Sequence, residues 1–166
     1  MPVDIINDER GAISTYFMGV YAIGIILIFA FLLTTAAAVR QHADAAYGWF
    51  VAASNYAVYT ATMSGIGTAD DDNTSQVRGY FDTAFSGITQ TTVDGNEYDP
   101  QAGSLFPRPI TLNRFAPESQ GAALPNGRSA TSDGYWISVT VPIVTGNIPF
   151  LGPETVDIPM SYYAAL

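Results

Sequence analysis

The chain of 166 residues contains no cysteine and no lysine. Without cysteine there is no disulfide scaffold, thiolate zinc site, cysteine nucleophile or covalent haem attachment. Its six cations are all arginine, set against 15 acids, for a formal charge of −9. Phosphate would be repelled by such a surface, so nucleic acid is not expected as a partner. Histidine occurs once, at His42. A catalytic base there needs a nucleophile and an orienting acid converging on it. Arg40 and Asp44, on the same stretch, read more simply as interfacial polar neighbours. There is no glycine-rich phosphate loop before a helix. No enzyme, cofactor or metal site is assigned. Asp70-Asp71-Asp72-Asn73 offers oxygen ligands but lacks the glycine and late glutamate of an EF-hand loop. Helix capping and solvation explain it better. Asn73-Thr74-Ser75 satisfies a glycosylation sequon, a triplet that arises often by chance.

Charge is also missing along a continuous stretch. Gly11 to Val39 holds 29 residues without an acid, base or histidine. About 20 apolar residues cross a bilayer as a helix, so the run can span with some tilt. A secretory signal peptide has a shorter apolar region and a basic leading segment. Here MPVDIINDER leads with three acids against one arginine. The helical pattern continues beyond the run. RQHADAAYGWFVAASNYAVYTATM lacks proline and is rich in alanine, with Gly65 and Gly67 as stop signals. A helix from near Asp8 to near Ser64 is roughly 80 Å long at 1.5 Å per residue. Asn7 or Asp8 would cap it, and Glu9 suits the positive end of its dipole.

From Ala45 to Ala69 charge is absent again, while Tyr47, Trp49, Phe50, Tyr56 and Tyr59 alternate with Ala, Ser and Asn. A helix that is weakly polar all round is normally buried on all sides. One small domain covers only one side, so copies of the chain or a partner are expected on the other. Small residues allow close approach and aromatics fill the gaps.

After the polar break at 68–76, Val77, Tyr80, Phe81, Ala84, Phe85 and Ile88 recur at helical spacing. Asn73 or Thr74 is the expected cap and Gly87 the expected end. Ile88 to Val93 reads as a strand closed by the turn residues Asp94-Gly95-Asn96. Tyr98 to Gly127 reads as a long loop with one short strand near Ile110 to Phe115. The remainder alternates as a two-stranded hairpin. Ile137, Val139, Val141 and Ile143 share one face of its first strand, and Val156, Ile158, Met160 and Tyr162 one face of its second. Pro142 and Pro159 point to edge positions or bulges. The fold class is α+β: a long N-terminal helix, then a small β-rich head with a short second helix and a C-terminal antiparallel hairpin. The expected division is a leader at 1–11, an assembly helix at 12–67 and a head at 68–166.

The segment Arg10-Gly11-Ala12-Ile13-Ser14-Thr15-Tyr16-Phe17, directly before the apolar run, resembles the leader junction of type IV pilin-like proteins. Among these it resembles the junctions of Tad-type pilins, TadE-like pseudopilins and archaeal class III signal peptides. The closing VTVPIVTGNIPFLGPETVDIPMSYYAAL is similar to the final hairpin of TadE-like proteins. The resemblance covers both ends and leaves about 68–132 without support. It implies a dedicated peptidase cutting between Gly11 and Ala12. It also implies a structural subunit held in the cell membrane by its helix and later packed into an extracellular filament. The partners implied are copies of itself, membrane lipid before assembly and the pilus assembly machinery. Family members usually carry a glutamate where this chain has Tyr16, which is thought to pair with a neighbour's freed N-terminus. With Tyr16 there, the leader is expected to be retained. The helix residues expected in assembly are Tyr16, Gly19, Gly24, Ile25, Leu27, Phe29, Leu32, Ala37, Tyr47, Trp49 and Phe50. The alternative is a minor pseudopilin or membrane-anchored envelope protein that primes assembly or binds a ligand, with the loop from Tyr98 to Gly127 as its recognition element.

Overall fold

The computed structural model describes residues 9–148 and 152–166. Two helices, α1 (Glu9–Met63) and α2 (Asp71–Thr89), precede five strands. These are β1 (Thr91–Asp94), β2 (Glu97–Pro100), β3 (Ile110–Glu118), β4 (Gly134–Ile148) and β5 (Gly152–Ala165). The strands form one antiparallel meander in the order β1-β2-β3-β4-β5. The α+β class read from the sequence is the observed one. The chain divides into two compact units, Met1–Ala38 and Val39–Leu166. The second half of α1 is thus grouped with the head.

The α1 helix stops where glycine permits it. Gly65 has φ +87°, and the N–H groups of Ile66 and Gly65 donate back to the carbonyls of Ala61 and Thr62 at 3.0 Å. This is the paired-bond C-terminal cap that a left-handed residue allows, and Ile66 closes it by being buried. The expected start caps, Asn7 and Asp8, lie outside the described residues.

The second helix starts one turn earlier than its apolar spacing suggests. Asp70, not Asn73 or Thr74, is the N-cap: its Oδ1 accepts from the Asn73 N–H at 2.8 Å. The carboxylate is the stronger acceptor, and Asp71 and Asp72 in the first turn favour the positive dipole end. The helix also runs past Gly87 to Thr89 and ends at Gln90, whose φ is +54°. Ile88 is therefore helical, and β1 begins only at Thr91.

The turn chemistry at Asp94-Gly95-Asn96 has a consequence the long-loop expectation missed. Asp94 pairs with Glu97, leaving a two-residue Gly95-Asn96 turn with φ +60° at Gly95. Such a turn returns the chain as a strand. That strand is β2, which buries Tyr98 completely. β3 is also longer than the strand expected near Ile110 to Phe115. The hairpin of β4 and β5 follows its alternation closely. Ile137, Val139, Val141 and Ile143 are all buried, as is Met160, while burial fades along β5 towards an exposed Val156. Pro159 lies on the edge strand β5, and Pro142 lies beyond Thr111↔Thr140, the last β3 pair of β4. Neither proline interrupts a ladder bond on both sides.

One apolar core joins the head half of α1, α2 and the inner sheet face. Its centre is aromatic. The Phe50 ring meets Phe81 and Phe85 edge-on at 6.1 and 6.2 Å, and Tyr98 meets Phe85 edge-on at 5.1 Å. Such edge contacts add to the area each ring buries. A second, smaller cluster lies elsewhere on the sheet, where Trp136 packs with Leu124 and Ala130 of the β3–β4 connection. Trp136 alternates with the buried set beginning at Ile137, and that connection covers it on the other face.

Because Phe50 is fully buried at this centre, Phe50→Ala is expected to cost about 3–5 kcal/mol of stability. Denaturant unfolding of the full chain in detergent, followed by aromatic circular dichroism, measures it. The Tyr98 hydroxyl donates to Asp82, which is also paired with Arg78 at 3.5 Å. Burial, then that hydrogen bond, hold the Tyr98 phenol well above its ordinary pKa. The unfolded chain releases this proton near pH 10 while the folded chain keeps it. The Tyr98 contribution to stability is therefore constant through neutral pH and is lost as pH rises above about 10. Tyr98→Phe is expected to cost about 1–2 kcal/mol at pH 7 and to make the alkaline decline shallower. Unfolding midpoints measured from pH 7 to 11 read both effects.

Candidate functional site

Chemistry-bearing side chains do not converge in the head. Among the described residues no group of three His, Asp or Glu could hold a metal ion. The two carboxylate oxygens of Asp70 are engaged by Thr68, by the Asn73 backbone and by the Asn73 amide at 2.8–3.1 Å. The acidic stretch at 70–73 thus works as a cap, and the Asn73 amide of the sequon is tied into it. His42 is exposed. Arg40 and Asp44 approach to 3.8 Å with both side chains almost fully in solvent. Such a pair adds little to stability.

The distinguishing surface is α1 itself. From Tyr16 to Leu33, fourteen large hydrophobic residues are exposed, and the apolar window of the helix has no buried part. Among the described residues this is the one helix long and apolar enough to cross a membrane. Of the residues expected in assembly, Tyr16, Ile25, Leu27, Phe29 and Leu32 are all exposed, with Tyr16 at 70%. Ala37 is exposed as well. A Cβ added at Gly19 or Gly24 would meet nothing within 4 Å. Gly11 and Ala12 lie in the first turns of the helix.

In the head, α1 presents two different faces. Ala46, Phe50, Ala53, Ser54, Ala57, Val58 and Ala61 are buried. The alanines let the helix lie close to its neighbours, and the Ser54 hydroxyl donates to the Phe50 carbonyl at 2.8 Å, so its burial leaves no unpaired group. Phe50, expected to fill gaps between copies, is instead consumed by its own core. Apolar spacing alone does not say which side of a uniformly uncharged helix turns inward. Trp49 is half-buried and meets Phe106 edge-on at 6.1 Å. Tyr47, Tyr56, Tyr59 and Met63 remain exposed, with Ala45, Gly48, Ala52 and Asn55 between them. This outward face carries no charge over the whole of Ala45 to Met63.

A cleft of about 230 Å³ opens beside Trp49, lined by Ala45, Leu105, Phe106, Pro142 and Ile143, with Gln41 and His42 also contributing. Leu105 is 72% exposed there. Nothing in the sequence signalled this cleft, because its walls come from three distant segments. Comparison with protein-family models, curated proteins and solved structures finds no match to this chain.

The outward tyrosines make few contacts with their own head. Tyr56→Ala and Tyr59→Ala are each expected to change stability by no more than about 0.5 kcal/mol. The same unfolding measurement used for Phe50→Ala shows the contrast between the two faces.

Proposed function

We propose that this protein is a structural subunit of an extracellular, type IV pilus-like filament that polymerises through α1. The observation that carries the reading is the exposure of fourteen large hydrophobic residues on a helix whose later half is built into the head core. Water is a poor solvent for that surface, and each Å² removed from it is worth about 25 cal/mol. Lipid covers it while the subunit waits in the membrane. Copies of the same helix cover it in the filament. The resemblance at residues 10–17 and at the closing hairpin supports the same reading. The uncharged outward face of the head half favours neighbours of protein, since a solvated stalk of this length normally carries charge. The acidic remainder of the head stays in water and keeps filaments apart from one another.

A second reading draws on the length of the apolar run alone. A helix that can cross a membrane also suits a minor pseudopilin or an anchored envelope protein. Location separates the two. The intact mass of protein in filaments sheared from producing cells should show this chain as the dominant species. A mass of 17.7 kDa indicates a retained leader, and loss of residues 1–11 indicates cleavage after Gly11. Protein left wholly in the membrane fraction supports the anchored reading.

Gly24→Leu places a side chain in open space on the isolated subunit, so the head is expected to fold normally. Ala37→Arg adds an unpaired charge to an exposed position. Both should abolish filaments, seen by negative-stain microscopy, while the aromatic circular dichroism of the head is unchanged. Normal filaments from both variants would refute packing through the run.

A further inference from the structure

The cleft beside Trp49 borders the head core through Phe106 and Ile143, and its chemistry matches a part of this same chain. Its nine lining residues include no Asp, Glu or Arg, although the chain carries a formal charge of −9. It is therefore a place on an acidic molecule where an uncharged surface can lie without meeting repulsion. Its volume of about 230 Å³ is on the scale of one large apolar side chain. One wall is α1 itself, at Ala45 and Trp49, so the cleft continues the helix surface on which assembly is proposed.

We infer that this cleft receives a large apolar side chain from the α1 run of a second copy when subunits assemble. The inference rests on the filament reading above. The occupant follows from area as well as charge. The fourteen exposed residues from Tyr16 to Leu33 each offer on the order of 100 Å² or more, well above the ~800 Å² per partner of a stable interface. The consecutive exposed residues Ile25 to Phe29 point to every side of the helix, so one flat neighbour cannot cover them all and the run meets several surfaces. The cleft supplies an uncharged, concave one on the head. A contact between run and head uses different surfaces on the two copies. Such a heterologous contact propagates as a helix rather than closing as a dimer. Leu105 lines the cleft and is apolar and 72% exposed, so it is free to contact a side chain that enters.

The absence of native cysteine makes the test direct. Full-length Leu105→Cys is co-expressed with single variants Ile23→Cys, Ile26→Cys, Leu27→Cys, Phe29→Cys, Leu32→Cys or Leu33→Cys, and the sheared filaments are oxidised. Disulfide-linked dimers are expected for one or two of these pairs and absent when either variant is expressed alone. In parallel, Leu105→Asp should lower filament yield about tenfold or more, since it sets a charge against an apolar side chain. Its head should melt at the unchanged temperature, because Leu105 is exposed. Filaments that form normally from Leu105→Asp, or that give no linkage at any of the six positions, overturn the inference and leave the filament reading intact. Failure of the wild-type chain to form filaments overturns both.

Discussion

The structure depends on one constraint: a single helix must satisfy two different surroundings along its length. In the head half, Phe50 fixes the outcome. Its ring reaches Phe81 and Phe85, and these in turn meet Tyr98 of the sheet. Ala53, Ala57 and Ala61 continue the same stripe with side chains small enough for the helix to sit close. Once this stripe is buried, the opposite stripe is committed to face outward. It holds tyrosines, small residues and asparagine, and nothing ionised. In the run before it, the large hydrophobic residues from Tyr16 to Leu33 are exposed all round the helix.

Electrostatics are arranged around that constraint. No charge lies on α1 after Asp44, and from Asp70 onward eleven acids stand against four arginines, so most of the formal charge of −9 is carried by the head. Part of it is neutralised locally. Arg78 pairs with Asp82 and also donates to the Gly95 carbonyl and the Asn96 side chain, tying α2 to the first hairpin. Arg108 bonds Asp157 of β5 at 2.7 Å from the loop that carries Leu105. These are partly or mostly exposed pairs, so their worth lies in positioning more than in stability. The Arg108 bond anchors that loop to the sheet and so helps to shape the cleft wall.

Much of this was legible in the sequence, and the misses have physical causes. The 29-residue uncharged run, the stop at Gly65 and the period-two alternation of β4 each rest on a strong local rule. The helix cap moved to Asp70 because apolar spacing marks where a helix is buried, not where it begins. β2 was missed because its four residues are too short to show alternation, although the Gly95-Asn96 turn demanded a returning strand. By alternation Trp136 lies on the face of β4 opposite Ile137. What buries it is the irregular connection carrying Leu124 and Ala130, and no periodicity announces such a cover. Phe50 shows the deepest limit. On a helix without charge the inward and outward stripes differ only in shape, and shape is decided by partners distant in sequence.

The exposed face of α1 is more than a tolerated surface. Single exposed hydrophobic residues are ordinary on soluble proteins, whereas contiguous patches mark interaction sites. On α1 the exposed apolar residues are contiguous from Tyr16 to Leu33. The outward tyrosines then extend an uncharged surface along the head. Lipid is a sufficient partner for the first part only, since a bilayer core about 30 Å thick accommodates about 20 helical residues. The uncharged face beyond Arg40 continues past that length of helix, and under the proposed assembly a second protein surface of the same kind covers it.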